Sequence, residues 1–201
     1  MSATTEALQA ATIRRVKGPT IMLGSGTYFD FENPEASEIT IDDIAFGLAY
    51  ACRFAGQCVS KRLRRRVFYS VAEHCVRMSR VVPEHLAYDA LMHELGEPVC
   101  GDMTGPLKSI CPDYKRIEKR CEAAIQAKFA VTMSDPDTIK LFDLRMLVTE
   151  RRDLLPWKGE EWSWAEGIEP FDFEIVPWSH DVAAFYFIER FHQVAPKQVV
   201  L

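Results

Sequence analysis

At 201 residues, with 48% hydrophobic and 26% charged side chains, the chain has an ordinary globular composition. That excludes a disordered or fibrous protein and suits one domain, 1–201, around one core. The formal charge of −5 lacks the basic footprint that would favour a nucleic-acid or membrane-surface partner, so small-molecule chemistry is the first expectation.

In chain order, the opening MSATTEALQAATIRR has no apolar run of the secretory type, and no later stretch approaches the roughly 18 apolar residues of a spanning helix. Six cysteines occur without a CxxC pair and read as free thiols, which together points to the cytoplasm. TIMLGSGTYFDFENPEA is punctuated by Gly24 and Gly26 and reads as a short extended segment or small hairpin. From Ile41 the pattern turns helical, with Thr40 as N-cap and apolar Ile44, Leu48 and Ala51, and this helix is expected to end near Gly56. The basic run KRLRRR (61–66) reads as a turn. It leads into a helix whose Ser70 and Glu73 have capping-box spacing and which carries His74.

Pro83 opens PEHLAYDALMHELGEPV, read as one helix with His93 and Glu97 on the same face. GDMTGPLKSICPD is a loop, and a helix of roughly twenty residues is expected from about Tyr114. SDPDTIKLFDLRMLVTERRDLL has Ser and Asp capping candidates and places Asp143 on a further helix. Residues 156–177 are rich in Trp and acids and read as an extended loop, before SHDVAAFYFIERFHQV closes the chain as a helix. The expected architecture is all-α, a bundle of about six helices behind a short extended N-terminal segment.

Separate helices thus carry His74, the pair His93-Glu94, and Asp143, an imidazole and carboxylate inventory suited to a divalent metal held between facing helices. Taken alone, a helical histidine is more often a structural residue. The motifs CRFAG (52–56), FYSVAEHC (68–75), ALMHELGE (90–97), GDMTGPLK (101–108) and LFDLRMLVTE (141–150) change that, because their order and spacing resemble those of HD-domain phosphohydrolases. Bacterial 5′-deoxynucleotidases and phage deoxynucleotide triphosphohydrolases form the most similar branch, and the resemblance spans 41–150.

The resemblance implies an HD-type helical fold and an enzyme that hydrolyses a nucleotide phosphate ester, releasing either phosphate or triphosphate. His74, His93, Glu94 and Asp143 would ligate the metal, which could be Mn, Co, Mg, Zn or Fe. Glu97 would be the general acid/base and Asp102 a second acid that orients water or an additional ion. Arg53 and Phe54 would meet phosphate and sugar or base, while Pro106 and Lys108 would border the nucleotide pocket. A homo-oligomer is the family expectation.

One departure matters: the dyad that gives the family its name is His-Asp, and here it is His93-Glu94. The longer acid can still ligate if the backbone retreats; otherwise the chain would be a catalytically weakened nucleotide-binding or regulatory module. Plain alternatives stand beside the other roles: helix-end electrostatics for Glu97, a loop cap for Asp102, core packing for Phe54, and solvation for Lys108 and the 61–66 run. That run could instead grip a polyphosphate tail. The tryptophans at 157, 162, 164 and 178 are given packing or interface roles and no part in catalysis.

Overall fold

A computed structural model describes residues 18–199, so the opening segment read for a secretory signal lies outside the described residues. Helices dominate, but two small antiparallel sheets accompany them, which corrects the all-α expectation. Strands β1 (Thr20–Met22) and β2 (Tyr28–Asp30) form the expected N-terminal hairpin, pairing Ile21 with Phe29. Phe29 is fully buried beneath it.

Helix α1 (Ile41–Tyr50) starts where the sequence said, because Thr40 and Asp43 close a complete capping box. The Thr40 hydroxyl accepts from the Asp43 amide at 3.1 Å, and the Asp43 carboxylate accepts from the Thr40 amide at 3.0 Å. The same carboxylate also takes the Ser25 amide at 2.8 Å, so one side chain joins the hairpin to the helix. The helix ends at Tyr50 instead of near Gly56. Ala51 leaves helical geometry, and residues 53–56 form a tight turn in which Phe54 and Ala55 have φ of 54° and 51°. Left-handed backbone at two residues with a Cβ costs about 1–2 kcal/mol each, so the turn must be held by its surroundings.

The basic run forms part of a second hairpin, β3 (Val59–Ser60) with β4 (Arg65–Arg66), which the sequence reading took as a turn. Helix α2 (Val71–Val81) follows, capped by the Ser70 hydroxyl on the Glu73 amide. The Glu73 side chain does not complete a capping box. It reaches Arg77 and the Trp178 amide instead, and so anchors the late loop.

The stretch read as one helix after Pro83 is broken. Helix α3 (Ala87–Leu91) gives way to turns, and α4 (Glu97–Cys100) begins afresh. Next come α5 (Gly105–Ser109) within the expected loop, the long α6 (Pro112–Lys128), α7 (Pro136–Leu154) and the closing α8 (His180–Val194). That makes eight α-helices among the described residues where about six are expected, because the segment after Pro83 splits into α3 and α4 and because α5 forms within the expected loop.

α1 packs on α8, α2 and α4, and α2 packs on α3, α7 and α8. Gly47 permits the α1–α4 approach, since a Cβ there would meet the Pro98 backbone at 3.0 Å. One buried cluster joins Leu48, Val76, Leu91, Leu95, Phe187 and Phe191. A second joins Tyr69, Met78, Leu86, Ile139, Met146 and Ile175, and α2 contributes to both. Burial of each large apolar side chain contributes roughly 1.5–3 kcal/mol, so α2 is fixed from both sides.

Residues 156–177 are extended but strapped down: Thr149 accepts the Phe171 amide at 2.9 Å, Asp153 the Ile175 amide at 2.8 Å, and Arg152 donates to the Phe171 carbonyl at 2.7 Å. No described helix is long and apolar enough to cross a membrane. The Asp43 junction yields a direct test: Asp43→Ala removes the carboxylate half of the capping box and the hairpin tether together, and chemical denaturation should show a loss of about 1–2 kcal/mol without loss of helix content.

Candidate metal centre

Backbone pairing sets up the centre. The Arg53 amide donates to the Tyr69 carbonyl at 2.9 Å and the Val71 amide to the Ala51 carbonyl at 3.0 Å, so the strained 53–56 turn lies beside the start of α2. His74, on the first turns of α2, is thereby placed next to Arg53. α7 runs past both and presents Asp143 and, two turns later, Glu150.

His74, His93, Glu94 and Asp143 offer ligand atoms that all lie within 4.8 Å of one another, and the group could hold a metal ion. The Nε2 atoms of the two imidazoles face each other at 3.2 Å, and His74 Nε2 is 3.4 Å from Asp143 Oδ1. Glu94 Oε1 is 3.5 Å from His93 Nε2, so the glutamate beside His93 reaches the cluster.

The other ring nitrogens are spoken for. His93 Nδ1 lies 2.8 Å from the Ala90 carbonyl oxygen, which can only accept, so it carries the proton and Nε2 is a lone pair. His74 Nδ1 donates to Glu150 Oε1 at 2.6 Å. Two Nε2 atoms pointing at one another beside two carboxylates need a positive charge between them. A divalent cation supplies it, or a proton on His74 does.

The electrostatics agree. Burial and the Arg53 charge push the His74 imidazole down, but the Glu150 charge and the hydrogen bonds that Asp143 and Glu150 accept from it outweigh them and raise it. Burial lowers His93. Burial alone would raise Asp143, yet its hydrogen bond to His74 and the charges of His74, His93 and Lys140 hold it well below the usual carboxylate range.

Glu150 is the residue the sequence reading overlooked, quoted only as the last letter of a motif. It is fully buried and accepts from Arg53 Nε at 3.1 Å, Arg53 Nη2 at 2.9 Å and the Tyr69 hydroxyl at 2.9 Å, besides His74. Burial works against its ionised form, but Arg53 and His74 keep its carboxyl below the ordinary value. Nothing in the local pattern marks it, since its partners come from residues 53, 69 and 74.

A cleft of about 1420 Å³ opens over the cluster, and every other expected site residue lines it: Arg53, Phe54, Glu97, Asp102, Pro106 and Lys108. His74 lies beneath the floor, fully buried. Glu97 is 5% exposed and its Oε2 has no partner. Burial, reinforced by the charges of Glu94 and Asp102, raises its carboxyl well above the usual range. Burial also raises Asp102. Lys108 binds Glu118 at 2.8 Å and approaches Glu97 to 4.0 Å. The 61–66 run does not line the cleft: Arg62 pairs with Glu174, Arg66 with Gln57, and Lys61 lies over Trp157. Its polyphosphate role therefore falls away. Trp162 and Trp164, given only packing roles, do line the cleft.

No family model matches the chain. Among curated proteins, it is 40% identical to the uncharacterized protein YfdR of Escherichia coli over 174 residues, covering 85% of this chain and 93% of that protein. It is also 33% identical to an uncharacterized protein of Rhodobacter capsulatus over 124 residues, 58% of this chain and 61% of the other.

Equilibrium dialysis against Mn²⁺ or Co²⁺ should load about one ion per chain, with a rise in Tm that a chelator reverses. His93→Ala should abolish binding. Glu150→Gln, which leaves the ligands in place but releases the His74 ring, should weaken it about 10- to 100-fold.

Proposed function

This chain belongs to the same family as YfdR of Escherichia coli, and from the site just described we propose that it is an HD-type, metal-dependent phosphohydrolase that removes phosphate from nucleoside 5′-monophosphates. The observation that carries this reading is the facing pair of imidazoles, 3.2 Å apart between two carboxylates, at the floor of a cleft that also holds a buried carboxylate oxygen with no partner. The donor set of two nitrogens and two carboxylate oxygens fits a divalent transition ion. Held by His74, His93, Glu94 and Asp143, such an ion would acidify a nearby water and neutralise charge on the phosphoryl oxygens.

The chain's own residues supply the rest. Glu97 is the proton carrier: ionised, its free Oε2 takes a proton from the attacking water, and protonated, it returns that proton to the departing ester oxygen. Phosphate and nucleoside leave with Glu97 restored. Its raised affinity for a proton makes it the stronger base in the first half of that cycle, and Lys108 at 4.0 Å favours the ionised form in which the cycle begins. Asp102 adds a second acid on the same side of the cleft. Arg53, clamped by Glu150, presents a fixed charge to the phosphate and needs no reorganisation to do so.

The count of free cations favours a monophosphate. Arg53, Lys108 and Lys140 line the cleft, and Glu150, Glu118 and Asp143 respectively already hold them. Three linked phosphates would need several unengaged cationic partners, and the basic run that could have served lies elsewhere. Glu94 reaching His93 supports an active centre over the weakened binding module.

Phosphate release should be measured on nucleoside mono-, di- and triphosphates with Mn²⁺, Co²⁺ or Mg²⁺ against a chelator. Metal-dependent release from monophosphates is expected, lost in His93→Ala and reduced about 10²- to 10⁴-fold in Glu97→Gln. Because Glu97 must be ionised to accept the proton, kcat/KM should rise with pH across a limb displaced above the ordinary carboxylate range, and Glu97→Gln should remove that limb. Silence across the whole panel from chain that has retained metal would sink the proposal.

A further inference from the structure

Beyond the metal floor, the cleft has a second half of different chemistry. The acids and Arg53 give its lining a polar part, and Leu144, Leu147, Leu155, Trp162 and Trp164 give it an apolar one. Trp162 and Trp164 lie with ring centroids 5.0 Å apart and planes inclined by 38°. Trp164 is 49% exposed although the turn that bears it is fixed: the Ala165 amide donates to the Trp162 carbonyl at 2.8 Å, and Ala165 is itself buried. A large ring left open on an anchored turn, at the edge of a cleft, is surface kept for a ligand.

Trp162 is braced from behind. The Arg151 guanidinium lies 4.5 Å from the Trp157 ring centroid and 4.9 Å from that of Trp162, sandwiched between them. Its Nε is buried with no hydrogen-bond partner, so the cation–π contacts are what hold it there. The arrangement braces the Trp162 indole and leaves its neighbour Trp164 exposed at the cleft.

We propose that Trp162 and Trp164 form the nucleobase-stacking wall of the cleft, selecting a phosphate ester that carries a heteroaromatic ring. The inference rests on the reading of the metal floor as a phosphate site, since the ligand must span both halves. Every base has a π-face, so the wall favours bases over base-free sugar phosphates and discriminates weakly among the bases themselves.

Calorimetric binding in a Glu97→Gln background loaded with Mn²⁺, where turnover is suppressed, tests this with dAMP and 2-deoxyribose 5-phosphate as probes. Trp164→Ala should weaken dAMP about 10- to 100-fold and leave the sugar phosphate unchanged, with Trp162→Phe near the parent level because the ring is kept. Equal weakening of both probes, or unaltered dAMP binding, would overturn the wall. Turnover by the otherwise unaltered chain separates the two proposals. Phosphate release from dAMP and sugar phosphate with equal kcat/KM overturns the wall and keeps the hydrolase, whereas no release together with the expected binding contrast overturns the hydrolase and keeps the wall. Failure of the parent chain to bind either probe overturns both.

Discussion

A single buried negative charge organises this molecule. Glu150 has no exposure, and an unpaired carboxylate there would cost several kcal/mol, so the surrounding chain is arranged to answer it. Arg53 does so with two nitrogens, Tyr69 with a hydroxyl and His74 with Nδ1. Those partners come from the strained 53–56 turn, the residue before the α2 cap, and α2 itself, while Glu150 stands on α7. One charge therefore ties together the elements that bound the cleft, and it fixes the tautomer of His74, one of the four side chains that could hold a metal ion, at the same time. Removing Arg53 would leave that charge without its cation, and breaking a buried pair in this way typically costs about 3–5 kcal/mol. That energy is what can hold Phe54 and Ala55 in left-handed backbone.

The breaks in the helices have the same logic. Had α1 run on to Gly56, Arg53 would project from a regular helix and could not share a backbone ladder with Tyr69. Had the segment after Pro83 stayed continuous, Glu94 would point roughly 100° away from the face that His93 and Glu97 share. The turn between α3 and α4 lets neighbouring residues reach one cleft, with Gly96 admitting Glu118 so closely that a Cβ would lie 2.9 Å from its Cγ. Irregular backbone occurs here where several side chains must converge on one small volume.

This explains what the sequence could and could not disclose. Thr40, Ser70 and Asp135 cap helices through contacts within three residues, so local pattern is enough to place α1, α2 and α7. The donor inventory is legible because only a few histidines and acids sit at the motif positions, and the chain does bring His74, His93, Glu94 and Asp143 together. Glu150 and Arg151 were invisible for the opposite reason: their roles are set by partners scattered from residue 53 to residue 162, and an acid or arginine near a helix end looks solvated. The basic run misled by composition alone. Arg62, Arg66 and Lys61 turn to Glu174, Gln57 and a tryptophan face, and no residue of the run lines the cleft.

The glutamate of the His93-Glu94 pair is best understood together with Arg53. Its carboxylate lies 3.5 Å from His93 Nε2 and 4.0 Å from Arg53 Nη1, between the cluster and the guanidinium that Glu150 holds from the other side. An aspartate on the same backbone would reach less far by one methylene and would have to give up one of those neighbours. The longer acid spans both, because it stands on the turn between α3 and α4 and not within a regular helix. Arg53 then lies between two carboxylates, which keeps its charge fixed at the cleft wall, and burial, which would lower its basicity, is outweighed by Glu150, Glu94 and Asp143. In this chain the glutamate at 94 and the break in the helix are two halves of one geometric solution, the reach of the acid matched to the turn that bears it.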